Sequence, residues 1–139
     1  MSFGGYVEEN ANTDIEFGGW PVLKTSEFRL MRRIPSLFDE SSIITALQAA
    51  SLYVQGELDE LLVGSEAPDF DTRKASVYKR AVYGTAHADL LPEFATQDRR
   101  DAAENTAEDD FKQADRFRAQ AKRDISLLLG RSANKVDLI

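Results

Sequence analysis

Cysteine is absent from this chain, and with it both a disulfide framework and any thiolate metal site. Long apolar runs are missing too: none approaches the about 20 residues that a membrane-spanning helix needs. The opening Met1-Ser2-Phe3-Gly4-Gly5-Tyr6 has neither the basic nor the apolar region of a secretory leader. These absences predict a protein of the cytoplasm, or one built into something assembled there. Positive charge is in deficit, with 17 Lys and Arg against 24 Asp and Glu, a net charge of −7. That balance argues against a general phosphate-backbone binder. Met31-Arg32-Arg33 and Asp98-Arg99-Arg100-Asp101 are short and flanked by apolar or acidic residues.

Catalytic signatures are also scarce. His87 is the only histidine and lies between Ala86 and Ala88 in a helical pattern, with no G-x-S-x-G or comparable nucleophile signature to serve it. It reads as a surface or satisfied-core histidine. Glu57, Asp59, Glu60 and the acids from Glu108 to Asp110 lack the Glu-x-x-His motif of a ferritin-like carboxylate site, and read as solvated or capping groups. Gly4-Gly5, Gly18-Gly19 and Gly64-Ser65 do not make the G-x-x-x-x-G-K-[ST] phosphate loop. No enzyme, cofactor or metal is expected.

What remains is 139 residues, 42% hydrophobic, enough for one domain with one core. The pattern predicts an all-α fold, an antiparallel bundle of about three long helices over residues 36–130. An extended N-terminal arm (1–35) and an extended C-terminal tail (131–139) flank it. The first helix is expected from about Asp39 to Leu62, with Ile43, Leu47, Ala50, Val54, Leu58 and Leu61 as its buried stripe. Gly64 and Pro68 stop it, inside an acidic loop from Glu66 to Asp71. The second spans about Arg73 to Phe94, with Val77, Ala81, Gly84, Ala88 and Leu91 on one line and Pro92 marking its frayed end. The third ends at Gly130, a good residue for a left-handed cap, and begins near either Asp98 or Asn105. Phe111, Ala114, Phe117, Ala121, Ile125 and Leu128 form its stripe.

The two ends carry the binding signals. The arm has no helical period but holds Tyr6, Phe17, Trp20 and Phe28, aromatics suited to ordering against a neighbouring subunit or partner. The tail closes on Val136-Asp137-Leu138-Ile139. Each such apolar side chain gains about 1.5–3 kcal/mol on leaving water, so the tail is expected to dock, either on its own core or on a neighbour.

Several segments, in order, resemble the head completion/stabilisation proteins of contractile-tailed phages. At the centre are Tyr78-x-Arg80-Ala81-Val82 and Ala86-x-Ala88-x-Leu90. Before them come Arg32 or Arg33 with Ile34, Ala46-Leu47-x-x-Ala50, and Val54-x-x-Glu57-Leu58; after them, Gly130 and then Val136-x-Leu138-Ile139. The likeness covers roughly residues 29–139.

The resemblance implies a neck adaptor of the virion, made in the host cytoplasm, which binds beneath the portal vertex once DNA is packaged. It implies a homo-oligomeric ring, twelve-fold in relatives with this helical adaptor fold, that stabilises the filled head and presents a surface to a tail-side neck or tail terminator protein. On that reading Val136, Leu138 and Ile139 dock on the portal protein. Asp59, Glu60, Glu66, Asp69 and Asp71 are candidates to face a lumen through which DNA passes without specific binding. The competing class is a small helical scaffolding or regulatory module that forms no ring.

Overall fold

The computed structural model describes residues 11–98 and 104–131. Among them an antiparallel pair of short strands, β1 (Asp14–Ile15) and β2 (Leu23–Lys24), precedes four helices: α1 (Thr25–Arg32), α2 (Glu40–Glu57), α3 (Thr72–Asp98) and α4 (Glu104–Leu128). The fold is therefore mostly helical rather than all-α, and a short fourth helix joins the three long ones. Helix α1 lies inside the expected arm. Its two turns bury only Thr25 and Phe28 while Leu30 and Met31 face water, and Lys24 provides no side-chain cap. It therefore carries neither the apolar period nor the capping residue by which a helix is read. It stops at Arg33, whose φ of 53° is left-handed.

The long helices follow their stripes. At the start of α2, Asp39 accepts a hydrogen bond from the Ser42 N–H at 2.9 Å, and Ile43, Leu47, Ala50 and Val54 are buried. The α-helix ends at Glu57, and a 3-10 turn (Asp59–Leu61) replaces the last expected turn. Helix α3 runs through Pro92 to Asp98 instead of ending near Phe94. Leu90 and Leu91 are both buried there, and Leu91 packs with Ala88 and Ala114 of the adjoining pair. That packing offsets a proline cost of about 3 kcal/mol. Helix α4 starts close to the later of the two expected positions. Its end is a Schellman motif: Gly130 is left-handed (φ 76°), its N–H bonds to the Leu127 carbonyl, and the Arg131 N–H bonds to that of Ser126.

Helix α3 is the centre of the molecule. Arg80 pairs with Asp124 and Asp89 with Arg118, so residue numbers rise along α3 as they fall along α4. Gln55 meets Tyr78, which fixes the α2–α3 end. Helices α2 and α4 scarcely touch one another; each packs on α3. Helix α1 lies along α3 in the same direction, with Phe28 against Tyr83 and Arg32 against His87.

Candidate functional site

Three of the four aromatics expected to reach outward are placed on the chain's own core. Phe28 has no exposed surface and its ring lies 5.5 Å from that of Tyr83. Trp20 is buried, stacked on Tyr78 at 5.3 Å and edge-on to Phe70 at 5.9 Å. Phe17 packs half-buried against the same cluster. Tyr6 lies outside the described residues. The reason is geometric: the β1–β2 turn folds back over the α2–α3 loop, giving the rings a surface within the chain.

Polar clamps hold this N-terminal segment down. Glu40 accepts hydrogen bonds from the Thr13 and Thr25 hydroxyls and from Arg29, which also donates to the Phe38 carbonyl at 2.9 Å. Burial alone would raise the Glu40 carboxyl, but these donors outweigh it and its pKa is lowered. Tyr83 donates to Glu27 at 2.7 Å and accepts from the Lys24 N–H at 3.1 Å. Burial pushes the Tyr78 hydroxyl up to about 12, against a small opposing effect from the Gln55 hydrogen bond.

Charged contacts also join α3 to α4 and to α1, and two of them are partly buried. Arg80 grips Asp124 through two bonds, of 2.9 and 2.7 Å, and the Asp124 side chain is only 2% exposed. Arg32 donates from Nε to His87 Nδ1 at 3.1 Å while its guanidinium lies 4.5 Å from the Phe117 ring centre. An acceptor Nδ1 means a neutral imidazole. Burial, and then the Arg32 cation, push His87 down to about 4. This is a packed structural histidine, as read from its helical setting.

The outer surface carries the contact chemistry. Leu30 (80% exposed), Met31 and Leu37 stand out on the α1 side. Leu52 (69%), Tyr53 and Val63 (71%) stand out at α2 and the following loop, and Phe111 and Leu127 on α4. The first of the α4 pair was expected in the buried stripe. It is exposed, and the buried stripe begins one turn on, with Ala114 against Ala88 and Leu91. Asp59, Glu60, Glu66, Asp69 and Asp71 are all exposed; Glu60 takes Arg131 at 2.6 Å, and Asp71 caps the Lys74 N–H at 2.8 Å. Val136, Leu138 and Ile139 lie outside the described residues. Among the described residues no group of three or more His, Asp or Glu is placed to hold a metal ion, and no helix is long and apolar enough to cross a membrane.

A family model described as phage head completion protein (GPL) matches residues 15–139, from the second residue of β1 to the last of the chain. The chain belongs to the phage head completion protein family. No curated protein and no solved structure matches it. This head completion protein is thus a structural component of the phage virion that interacts with other head or tail proteins. For such a protein the surfaces are the functional sites, and the family match includes the apolar C-terminal residues as well as the helices.

Proposed function

We propose that this head completion protein acts in the phage neck, as a ring of subunits, twelve by the family resemblance, seated on the portal vertex. There it stabilises the DNA-filled head and offers the attachment surface for a tail-side neck or tail terminator protein, with DNA passing through the lumen. One observation carries the reading: a head protein of this family leaves large apolar side chains in water in three separate places, on α1, on the α2 edge and on α4. Exposed apolar surface on several sides suits a subunit enclosed by like and unlike neighbours better than a module with one partner.

Within this reading, Val136, Leu138 and Ile139 anchor each subunit to the portal. Burying three such side chains contributes about 5 kcal/mol gross, less the cost of ordering the segment. One tail binds weakly; a closed ring multiplies it through effective concentration. Cryo-electron microscopy of the full chain mixed with the portal of the same phage tests the proposal. The expected result is a ring under the portal with density for residues 136–139 on its surface. A complex of one or two copies would instead favour a scaffolding module, and no association would refute the neck role.

A further inference from the structure

The acidic net charge hides a segregation. From residue 34 to residue 72 the chain has eight carboxylates and neither lysine nor arginine. Glu57, Asp59, Glu60, Glu66, Asp69 and Asp71 are all exposed in this stretch, which forms α2 and the loop beyond it. Along α4 from residue 111 on, the balance leans the other way: five Lys and Arg stand against Asp115 and Asp124, which pair with Arg118 and Arg80. Lys112, Arg116, Lys122 and Arg123 are exposed, and none has an ion-pair or hydrogen-bond partner among the described residues. Lys112, Arg116 and Arg123 fall at steps of four and seven, one line on the face turned from α3 and about 16 Å long. Leu127, exposed, continues that line, and exposed Phe111 stands at its start.

These two surfaces flank α3 and scarcely meet within one molecule. Among the described residues, the one cation that crosses from the α4 side to an acid of the α2 side is Arg131, just past the end of α4, which reaches Glu60. A row of like charges left unpaired repels itself, and a carboxylate surface brought against it relieves that repulsion.

From this geometry we infer that the basic face of α4 docks on the acidic α2–loop edge of a second copy of this chain. The contact joins different surfaces of the two copies, so it repeats head to tail and closes into a ring when the rotation permits. Charge sets orientation and encounter, because exposed ion pairs contribute little affinity one by one. Leu127 and Phe111 on one copy, and Leu52, Tyr53 and Val63 on the other, supply the apolar burial. The inference rests on the ring reading and adds the interface to it. It also gives the acids from Asp59 to Asp71 to the neighbouring subunit rather than to a DNA channel.

A charge exchange tests this in assembling phage. One variant carries Arg116→Glu with Arg123→Glu, the other Glu66→Lys with Asp69→Lys; all four sites are exposed, and thermal melts verify that both fold. Should either melt low, Lys112→Glu with Lys122→Glu, or Glu57→Lys with Asp59→Lys, replaces it. Each is supplied in trans to phage lacking its own copy of the protein, and infectious titre and copies per particle are measured. Each variant alone should lower the titre at least 100-fold. Together they should restore it to within 10-fold, since only unlike variants now present opposite charges and an even-numbered ring lets them alternate. Wild-type titre from either variant alone, or no rescue by the pair, overturns the interface while leaving a multi-copy ring intact. So does an α4 variant that assembles normally but fails to retain DNA, or a loop variant that assembles normally but slows DNA ejection. One or two wild-type copies per particle would remove the ring itself.

Discussion

Replacing Arg80 with alanine should cost about three times as much stability as replacing its partner Asp124. The pair is lopsided: the Asp124 side chain is 2% exposed and that of Arg80 is 47% exposed. Folding has already stripped Asp124 of water, and the two bonds at 2.9 and 2.7 Å offset that loss. Arg80→Ala leaves a buried carboxylate without its partner, an error that costs about 3–5 kcal/mol. The half-open Arg80 site admits water, which sets the expected cost near the bottom of that range. Asp124→Ala releases a guanidinium that is already half in solvent, so the loss is about 1 kcal/mol for the pair and a small void. At about 3–4 °C per kcal/mol for a domain of this size, the melting points should fall by about 10 °C and about 3–4 °C. Arg80→Met with Asp124→Leu should return most of the stability, because neither charge is then stranded. Urea titration and thermal melts at pH 7, followed by circular dichroism, give all three numbers. Equal losses from the two single changes, or a larger one from Asp124→Ala, would refute the argument from unequal burial.

Three further outcomes are expected. Phe28→Ala should destabilise the whole protein by about 3–5 kcal/mol in a urea titration, since its ring is fully buried against Tyr83; a negligible loss would mean that α1 is not part of the core. Lowering the pH from 6.5 to 4 should remove about 1–2 kcal/mol through His87 alone, after allowance for its partial exposure. The unfolded chain binds the proton first, near 6.5, while the folded imidazole resists until about 4. The His87 contribution is therefore complete above 6.5 and is lost as pH falls through that window, and His87→Gln should flatten the slope there in urea midpoints. Arg33→Gly should raise stability by about 0.5 kcal/mol, because relief of the left-handed φ of 53° exceeds the added freedom of the unfolded chain; a lower melting point would contradict that sign.

The long helices were legible because each repeats one buried face over several turns. Ile43, Leu47, Ala50, Val54 and Leu58 are buried as their spacing predicts, and so are Ala81, Ala88, Leu91, Ala121, Ile125 and Leu128. Gly130 marked the end of the last helix because a left-handed cap favours glycine. Helix α1 was not legible: Phe28 is the one large side chain it buries, and two turns are too few to establish a period. The inward placement of Trp20 depends on Tyr78, 58 positions away in the chain, a pairing that no local pattern encodes. The basic face of α4 was hidden for a related reason. Its cations are interleaved with Ala114, Phe117 and Ala121, and only the helical turn sorts them onto one side.

The seat of α1 on α3 sets a timetable for synthesis. Its anchoring contacts, Glu27 to Tyr83 and Arg32 to His87, span 56 and 55 residues. A nascent α1 therefore leaves the ribosome with only the polar clamp of Thr25 and Arg29 on Glu40 to hold it, and no seat for Phe28 against Tyr83 until α3 is made, an interval of about 3–11 s at 5–20 residues per second. Throughout it Phe28, Leu30 and Met31 are open to any hydrophobic surface nearby. The α3–α4 hairpin, joined by residues 99–103, closes a far shorter loop and should form as soon as it emerges. Chains stalled before Tyr83 should show an α1 as exchange-labile as an unfolded peptide; early amide protection there would break the timetable. The N-terminal segment, first to be made, is on this account the last to find its place, and the growing chain has reason to recruit a chaperone before it recruits a neighbour.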